Sequence, residues 1–181
     1  MKRDNADRLN RSPIHLLHRA GQCAGDIFHA EMKVGGLTPR QLAVLITVSQ
    51  NEGLSQTGLV DRTGIDRSTL ADIVRRMQRK GLLQRRRTKE DARAYAVKLT
   101  DEGRRVLRTA EPQAKKVDER VLDALPSKQR EQFIDDLLSI VDALQKMSPR
   151  AELKVALATI AAACALWHPR SRPRYRRRRR P

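Results

Sequence analysis

Residues 66–103 carry eleven Arg and Lys side chains around one short apolar stripe. Chain chemistry in this segment is donor chemistry. Arg67, Ser68, Thr69, Asp72, Arg75, Arg76 and Arg79 fall within fourteen positions that start at Asp66, a helix-capping residue type. At 100° per residue, Leu70, Ile73, Val74 and Met77 gather on one side of such a helix. Ser68, Asp72, Arg75 and Arg79 line the other at i, i+4, i+7 and i+11, with Arg67, Thr69 and Arg76 on the flanks. A helix of this kind docks by one face and offers a row of guanidinium forks on the other. Each fork can make two hydrogen bonds to a guanine edge in the major groove, or clasp a phosphate. The plainer alternative is a solvated surface helix in which Asp72 pairs with Arg76 at i, i+4.

The neighbouring segment decides between them. A short helix is expected over residues 56–63 behind Ser55, ending at Gly64, and the basic helix runs on to Lys80 and stops at Gly81. The sequence LLQRRRTKEDARAYAVKLT follows, with Tyr95, Val97 and Leu99 alternating with Ala96 and Lys98, and a polar TKEDA tip. That is a β-hairpin after two helices. An arginine-rich exposed hairpin has little structural reason to exist by itself, whereas beside a basic helix it makes a winged helix-turn-helix. Lys89 or Arg93 at its tip can reach a minor groove while the helix enters the major one. Double-stranded DNA is therefore the expected partner.

Composition supports a polyanionic partner. The formal net charge is +17 over 181 residues, and the tail PRSRPRYRRRRRP at 169–181 holds eight Arg and no acid. Without it the body still carries 17 − 8 = +9. Two Phe, two Tyr and one Trp are too few for single-strand binding on rows of stacked rings. Cys23 and Cys164 show no paired spacing for a disulfide framework or a structural zinc site. The charged start MKRDNADRLNRSPIHLL has no apolar signal core, so a cytoplasmic protein is expected. No phosphate loop, HExxH or nucleophile elbow is present, so neither an enzyme nor a cofactor is expected.

The remaining elements must hold the basic helix and hairpin in place. Ser12–Pro13 opens a helix with Ile14, Leu17, Ala20, Ala24, Ile27 and Phe28 at helical spacing, ended by VGG at 34–36. TPRQ at 38–41 is a capping box for the next, whose stripe is Leu42, Leu45 and Ile46. Thr100 caps a helix containing Pro112, and a last amphipathic helix after Leu125-Pro126-Ser127 carries Phe133, Leu137, Leu138, Val141 and Leu144. The stripes of residues 14–28 and 133–144 exceed what a small winged domain can cover, so a second chain should pair with them. The apolar run VALATIAAACALW at 155–167 is too short to span a bilayer comfortably. It suits an extra helix or an extension. A membrane-surface anchor partnered by the arginine tail is the lesser alternative, and a membrane partner is not expected.

LTPRQLAVL, then LVDRTGIDRSTLADIVRRMQRKGLLQRRR, then EDARAYAVKLTDEG resemble the central signature of MarR-family transcriptional regulators. The likeness spans residues 12–147 and is tightest over 38–103. Its most specific part is the Asp91-x-Arg93 wing motif followed by Leu99-Thr100-x-x-Gly103. Gly58 departs from it, standing where a better helix former is usual, and residues from 148 lie outside it. The resemblance implies a mainly α fold with a small β-hairpin wing: a winged helix-turn-helix domain at 37–103 and dimerisation helices at 12–36 and 104–147; polarity and composition, outside the resemblance, give a flexible start at 1–11 and an extension at 148–181. It implies a homodimer and a palindromic operator, read by Ser68, Thr69 and Arg75 with Asp91 and Arg93 at the wing. It also implies a repressor responsive to an aromatic acid, phenol or thioester bound between the dimer helices and the winged domain.

The first helix supplies candidates for that effector. His15, His18 and Arg19 can receive an anion, with Leu16, Phe28 and Met32 as apolar walls. The plainer role for each is packing at an interface or facing solvent. A metal site from His15, His18 and His29 lacks a third ligand fixed by spacing. A thiol sensor at Cys23 is a further alternative, but Cys23 lies deep in the helix without neighbouring tyrosines, and a buried small hydrophobe is its expected role. Against the operator-binding reading stands one rival class, a sequence-tolerant architectural DNA binder, kept alive by the tail.

Overall fold

A computed structural model describes residues 8–33, 35–51, 53–87 and 95–147. Its elements are α1 (Pro13–Glu31), α2 (Pro39–Gln50), α3 (Gln56–Thr63), α4 (Arg67–Arg79), β1 (Leu83–Arg87), β2 (Tyr95–Leu99), α5 (Asp101–Leu122) and α6 (Ser127–Met147). They fall into two units divided between Ala124 and Leu125. The first holds everything through α5.

Local sequence sets most of the helix starts. Thr38 accepts from the Gln41 N–H at 3.3 Å while the Thr38 N–H donates to the Gln41 side chain at 3.1 Å, the reciprocal box that TPRQ predicts. Ser55, Asp66 and Thr100 cap α3, α4 and α5, each accepting from the N–H three residues on. Ser12 makes no side-chain cap bond, so Pro13 alone marks the start of α1. The helix ends at Glu31, with Met32 as its cap, three residues before the expected VGG stop.

α2 lies at the centre of the first unit, packed against α3, α4, α5 and β2. Its buried set is Gln41, Leu42, Val44, Leu45 and Val48, while Ile46 is only half-buried. The buried surface is wider than the single expected stripe, because a helix surrounded on several sides buries more than one stripe. α1 packs on α5, and the Glu31 carboxylate pairs with the Arg120 guanidinium near that contact. In α1 only Phe28 is buried; Ile14 is 80% exposed and Leu16 and Leu17 are exposed as well. Cys23 is also exposed, which corrects the expectation of a buried thiol. It stands about 140° around the helix from Phe28, off the face that meets the core.

The hairpin pairs Leu83 with Leu99, Arg85 with Val97 and Arg87 with Tyr95, antiparallel. Ser55 bridges Ala96, and the Val97 N–H donates to the Leu54 carbonyl at 3.0 Å, so the segment just before α3 adds a single bridge beside β2. This third partner explains why Ala96 is buried along with Val97 and Leu99, where simple alternation predicts an outward Ala96. Pro112 lies inside α5 without ending it. Its missing N–H leaves the Arg108 carbonyl without a helical partner, a small cost at an exposed position.

In the second unit α6 is the one described element. None of its residues is buried, and Phe133, Leu138, Val141 and Leu144 are all exposed. Among the described residues, no helix is long and apolar enough to cross a membrane. The 155–167 run and the arginine tail lie outside the described residues.

Candidate nucleic-acid interface

The helix-turn-helix is built from α3, the turn at Gly64 and α4. Gly64 takes φ 67° at the end of α3, and two residues later the Asp66 carboxylate starts α4 by accepting from the Thr69 N–H at 2.9 Å and the Ser68 hydroxyl at 2.7 Å. Leu70, Ile73, Val74 and Met77 are all buried, as the spacing predicts. Rotation of the helix about its axis is thereby fixed. With it is fixed the opposite face, on which Arg67, Ser68, Arg75, Arg76 and Arg79 are exposed and Asp72 half-exposed. Thr69 turns partly inward beside the cap.

Asp72 joins two of these arginines. One carboxylate oxygen takes the Arg75 guanidinium and the other takes Arg76 Nε at 2.7 Å. Sequence spacing anticipated the Arg76 pair, and the structure adds Arg75 at i+3. Both arginines stay about two-thirds exposed (67% and 64%), so each pair is screened and cheap to exchange for another anion.

The far end of α4 is anchored by backbone. Its last turn closes with the Leu82 N–H on the Met77 carbonyl at 2.9 Å and the Gly81 N–H on the Gln78 carbonyl at 3.0 Å, with Gly81 at φ 70°. Thr100 then grips this turn: its N–H reaches the Leu82 carbonyl at 3.1 Å and its hydroxyl the Gly81 carbonyl at 2.5 Å. Gly103 completes the clamp, since a Cβ there would sit 2.1 Å from the Leu82 carbonyl oxygen. The Leu-Thr-x-x-Gly motif is thus the device that ties α5 to the end of α4. At Gly58, inside α3, a Cβ would instead meet the tip of a side chain, Leu54 Cδ2, at 2.9 Å.

The base of the wing is tied to α3 by Arg85, which donates to Gln56 Oε1 at 2.9 Å. No sequence signal marks that pair, because its members are 29 positions apart. Arg86 and Arg87 are exposed beside it. The candidate tip residues Lys89, Asp91 and Arg93 lie outside the described residues.

The five effector candidates on the first helix are not brought together in one chain. Phe28 and Met32 are core residues, 6% exposed each. His18 and Arg19 are exposed and His15 half-buried, and His15 lies about 20 Å along the helix from Phe28.

A model described as MarR family matches residues 35–94. The transcriptional regulator HosA of Escherichia coli O157:H7 is 34% identical over 98 residues, covering 54% of this chain and 73% of HosA. The structure of the PcaV transcriptional regulator from Streptomyces coelicolor with its natural ligand superposes with a TM-score of 0.70 at 33% identity, covering 75% of this chain and 96% of that one. CouR from Rhodococcus jostii RHA1, a transcriptional repressor, has been solved on a 23-mer DNA duplex and with p-coumaroyl-CoA. The duplex-bound chain gives a TM-score of 0.68 at 28% identity, covering 74% of this chain and 94% of that one. With a winged helix-turn-helix framed by helices and likeness of this extent, the chain belongs to the MarR family of transcriptional regulators.

Proposed function

We propose that this chain is a ligand-responsive repressor that binds a palindromic operator in double-stranded DNA as a homodimer. The observation that carries this reading is the exposed basic face of α4, opposite a stripe that is wholly buried. A helix so held presents Arg67, Ser68, Thr69, Arg75, Arg76 and Arg79 to a major groove, with Asp72 steering two of the arginines. Lys89, Asp91 and Arg93 are assigned to the wing contact. CouR, a similar chain, is a repressor bound to duplex DNA, which supports the partner and the sign of control. The unpartnered apolar residues of α1 and of α6 support dimerisation through residues 12–36 and 104–147. PcaV with its natural ligand and CouR with p-coumaroyl-CoA support an effector of the aromatic acid, phenol or thioester class. In this reading the chain is a cytoplasmic, non-enzymatic regulator.

The test is selection of a site from random duplex, followed by titration of that site and of scrambled DNA across salt concentrations. An operator binder prefers its site by about 10³-fold or more. A sequence-tolerant architectural binder gives equal affinities and the same steep salt slope on both.

A further inference from the structure

Between Arg67 and Arg79, α4 carries a single acid, Asp72. It shares a row with Ser68, Arg75 and Arg79, opposite the buried stripe. Asp66, just ahead of the helix, is engaged by the cap through the Thr69 N–H and the Ser68 hydroxyl. A carboxylate in the middle of this face works against polyanion binding. It cancels one of the charges the face offers, and phosphates on either side of a groove repel it. A surface meant for phosphate alone would be better served by an uncharged residue there.

The arrangement of the cluster gives Asp72 a different use. Arg76 lies on the flank, and its Nε holds one carboxylate oxygen at 2.7 Å, which fixes the orientation of the acid. The other oxygen takes the guanidinium of Arg75, from the same row as Asp72. Asp72 and Arg75 thus stand side by side, an acceptor next to a fork of donors. Arg75 is 67% exposed, so a donor on a base can replace it on Asp72 while Arg76 stays in place.

Two base donors face the major groove, the amino groups of cytosine and adenine. The adenine amino group stands beside the N7 acceptor of its own ring, which repels a carboxylate, whereas cytosine presents its amino group alone. We propose that Asp72 is a specificity-determining residue that accepts from a cytosine amino group in each operator half-site, freeing Arg75 to fork onto a guanine edge. Where that cytosine is missing, Asp72 faces the duplex without a donor and retains Arg75. One side chain therefore strengthens the cognate site and weakens random sequence. This inference rests on the operator binding proposed above.

Site selection from random duplex by wild type, Asp72→Asn and Asp72→Ala tests it, followed by titration of selected and scrambled sites across salt. Wild type should require cytosine at one position of each half-site, with thymine there weakening binding about tenfold or more. Asparagine can bond adenine N6 and N7 together, so Asp72→Asn should move that position from cytosine to adenine. Asp72→Ala should lose the preference and bind scrambled duplex about fivefold more tightly, with a salt slope steeper by about one. Glu111→Gln removes the same charge from an exposed position on α5 and should leave base preference unchanged. A wild-type site with no required cytosine overturns the role of Asp72 and leaves operator binding standing. So does an unchanged preference in both Asp72 variants. A wild type that selects no site overturns both.

Discussion

Gly103 and Gly58 look alike in sequence, two glycines inside helices, yet the structure gives them different costs. At Gly103 the obstacle is the backbone oxygen of Leu82 at 2.1 Å, which cannot move without opening the clamp on α4. Gly103→Ala should lower stability by about 3 kcal/mol, measured by denaturant unfolding. At Gly58 the obstacle is the tip of the Leu54 side chain, which can rotate away, and alanine gains about 1 kcal/mol of helix propensity. Gly58→Ala should leave the unfolding midpoint nearly unchanged. Equal losses at both positions would contradict the clamp. On the exposed face of α4, Arg75→Ala should cost about 1–3 kcal/mol on the selected operator and relax preference at one base pair. Variant binding equal to wild type at matched salt would remove Arg75 from base reading.

At the scale of elements, the N-terminus of α5 bears most of the positioning. Thr100 accepts from the Gly103 N–H at 2.9 Å while donating to the turn after α4, so one hydroxyl serves both as cap and as tether. Thr100→Ala should cost about 1–2 kcal/mol of stability. The same first turn holds Glu102, which accepts from Arg105 Nε at 2.9 Å and Nη2 at 2.7 Å. Those bonds keep the Glu102 carboxyl below its usual range. A lowered carboxylate contributes stability above its unfolded value and loses it as pH falls through the folded one. Arg105→Gln should return the Glu102 titration, followed by NMR, toward the ordinary carboxylate range. An unmoved titration would mean that another group holds it down.

At the scale of the whole molecule, exposed apolar residues on α1 and on α6 call for a covering partner. α6 exposes Leu138 at 62% and Leu144 at 55%, and α1 exposes Ile14, Leu16 and Leu17. Light scattering at micromolar concentration should give the mass of two chains, and melting temperature should rise with protein concentration. Leu138→Glu together with Leu144→Glu should reduce the mass to one chain. A wild-type monomer would leave those faces without the partner proposed for them. The arginine tail contributes at the same scale through charge alone. Removing residues 169–181 takes away eight cations. Affinity for operator and random duplex should then fall by a similar factor, with shallower salt slopes on both.

The start of α2 and both ends of α3 and α4 were legible because each is written in local chemistry: a cap residue, a periodic stripe, a glycine stop. The buried stripe of α4 was readable to the residue, since four positions at helical spacing admit one facing. What the sequence left undetermined depends on neighbours far along the chain. The burial of α2 on several sides comes from four surrounding elements, and the inward turn of Ala96 from the Ser55 bridge. The exposure of Cys23 follows from which side of α1 meets α5, and the Arg85–Gln56 tie from a separation of 29 positions. Periodicity tells a helix that it has an inside. Only the tertiary fold decides what that inside touches, because contact energy depends on surfaces that no local window contains.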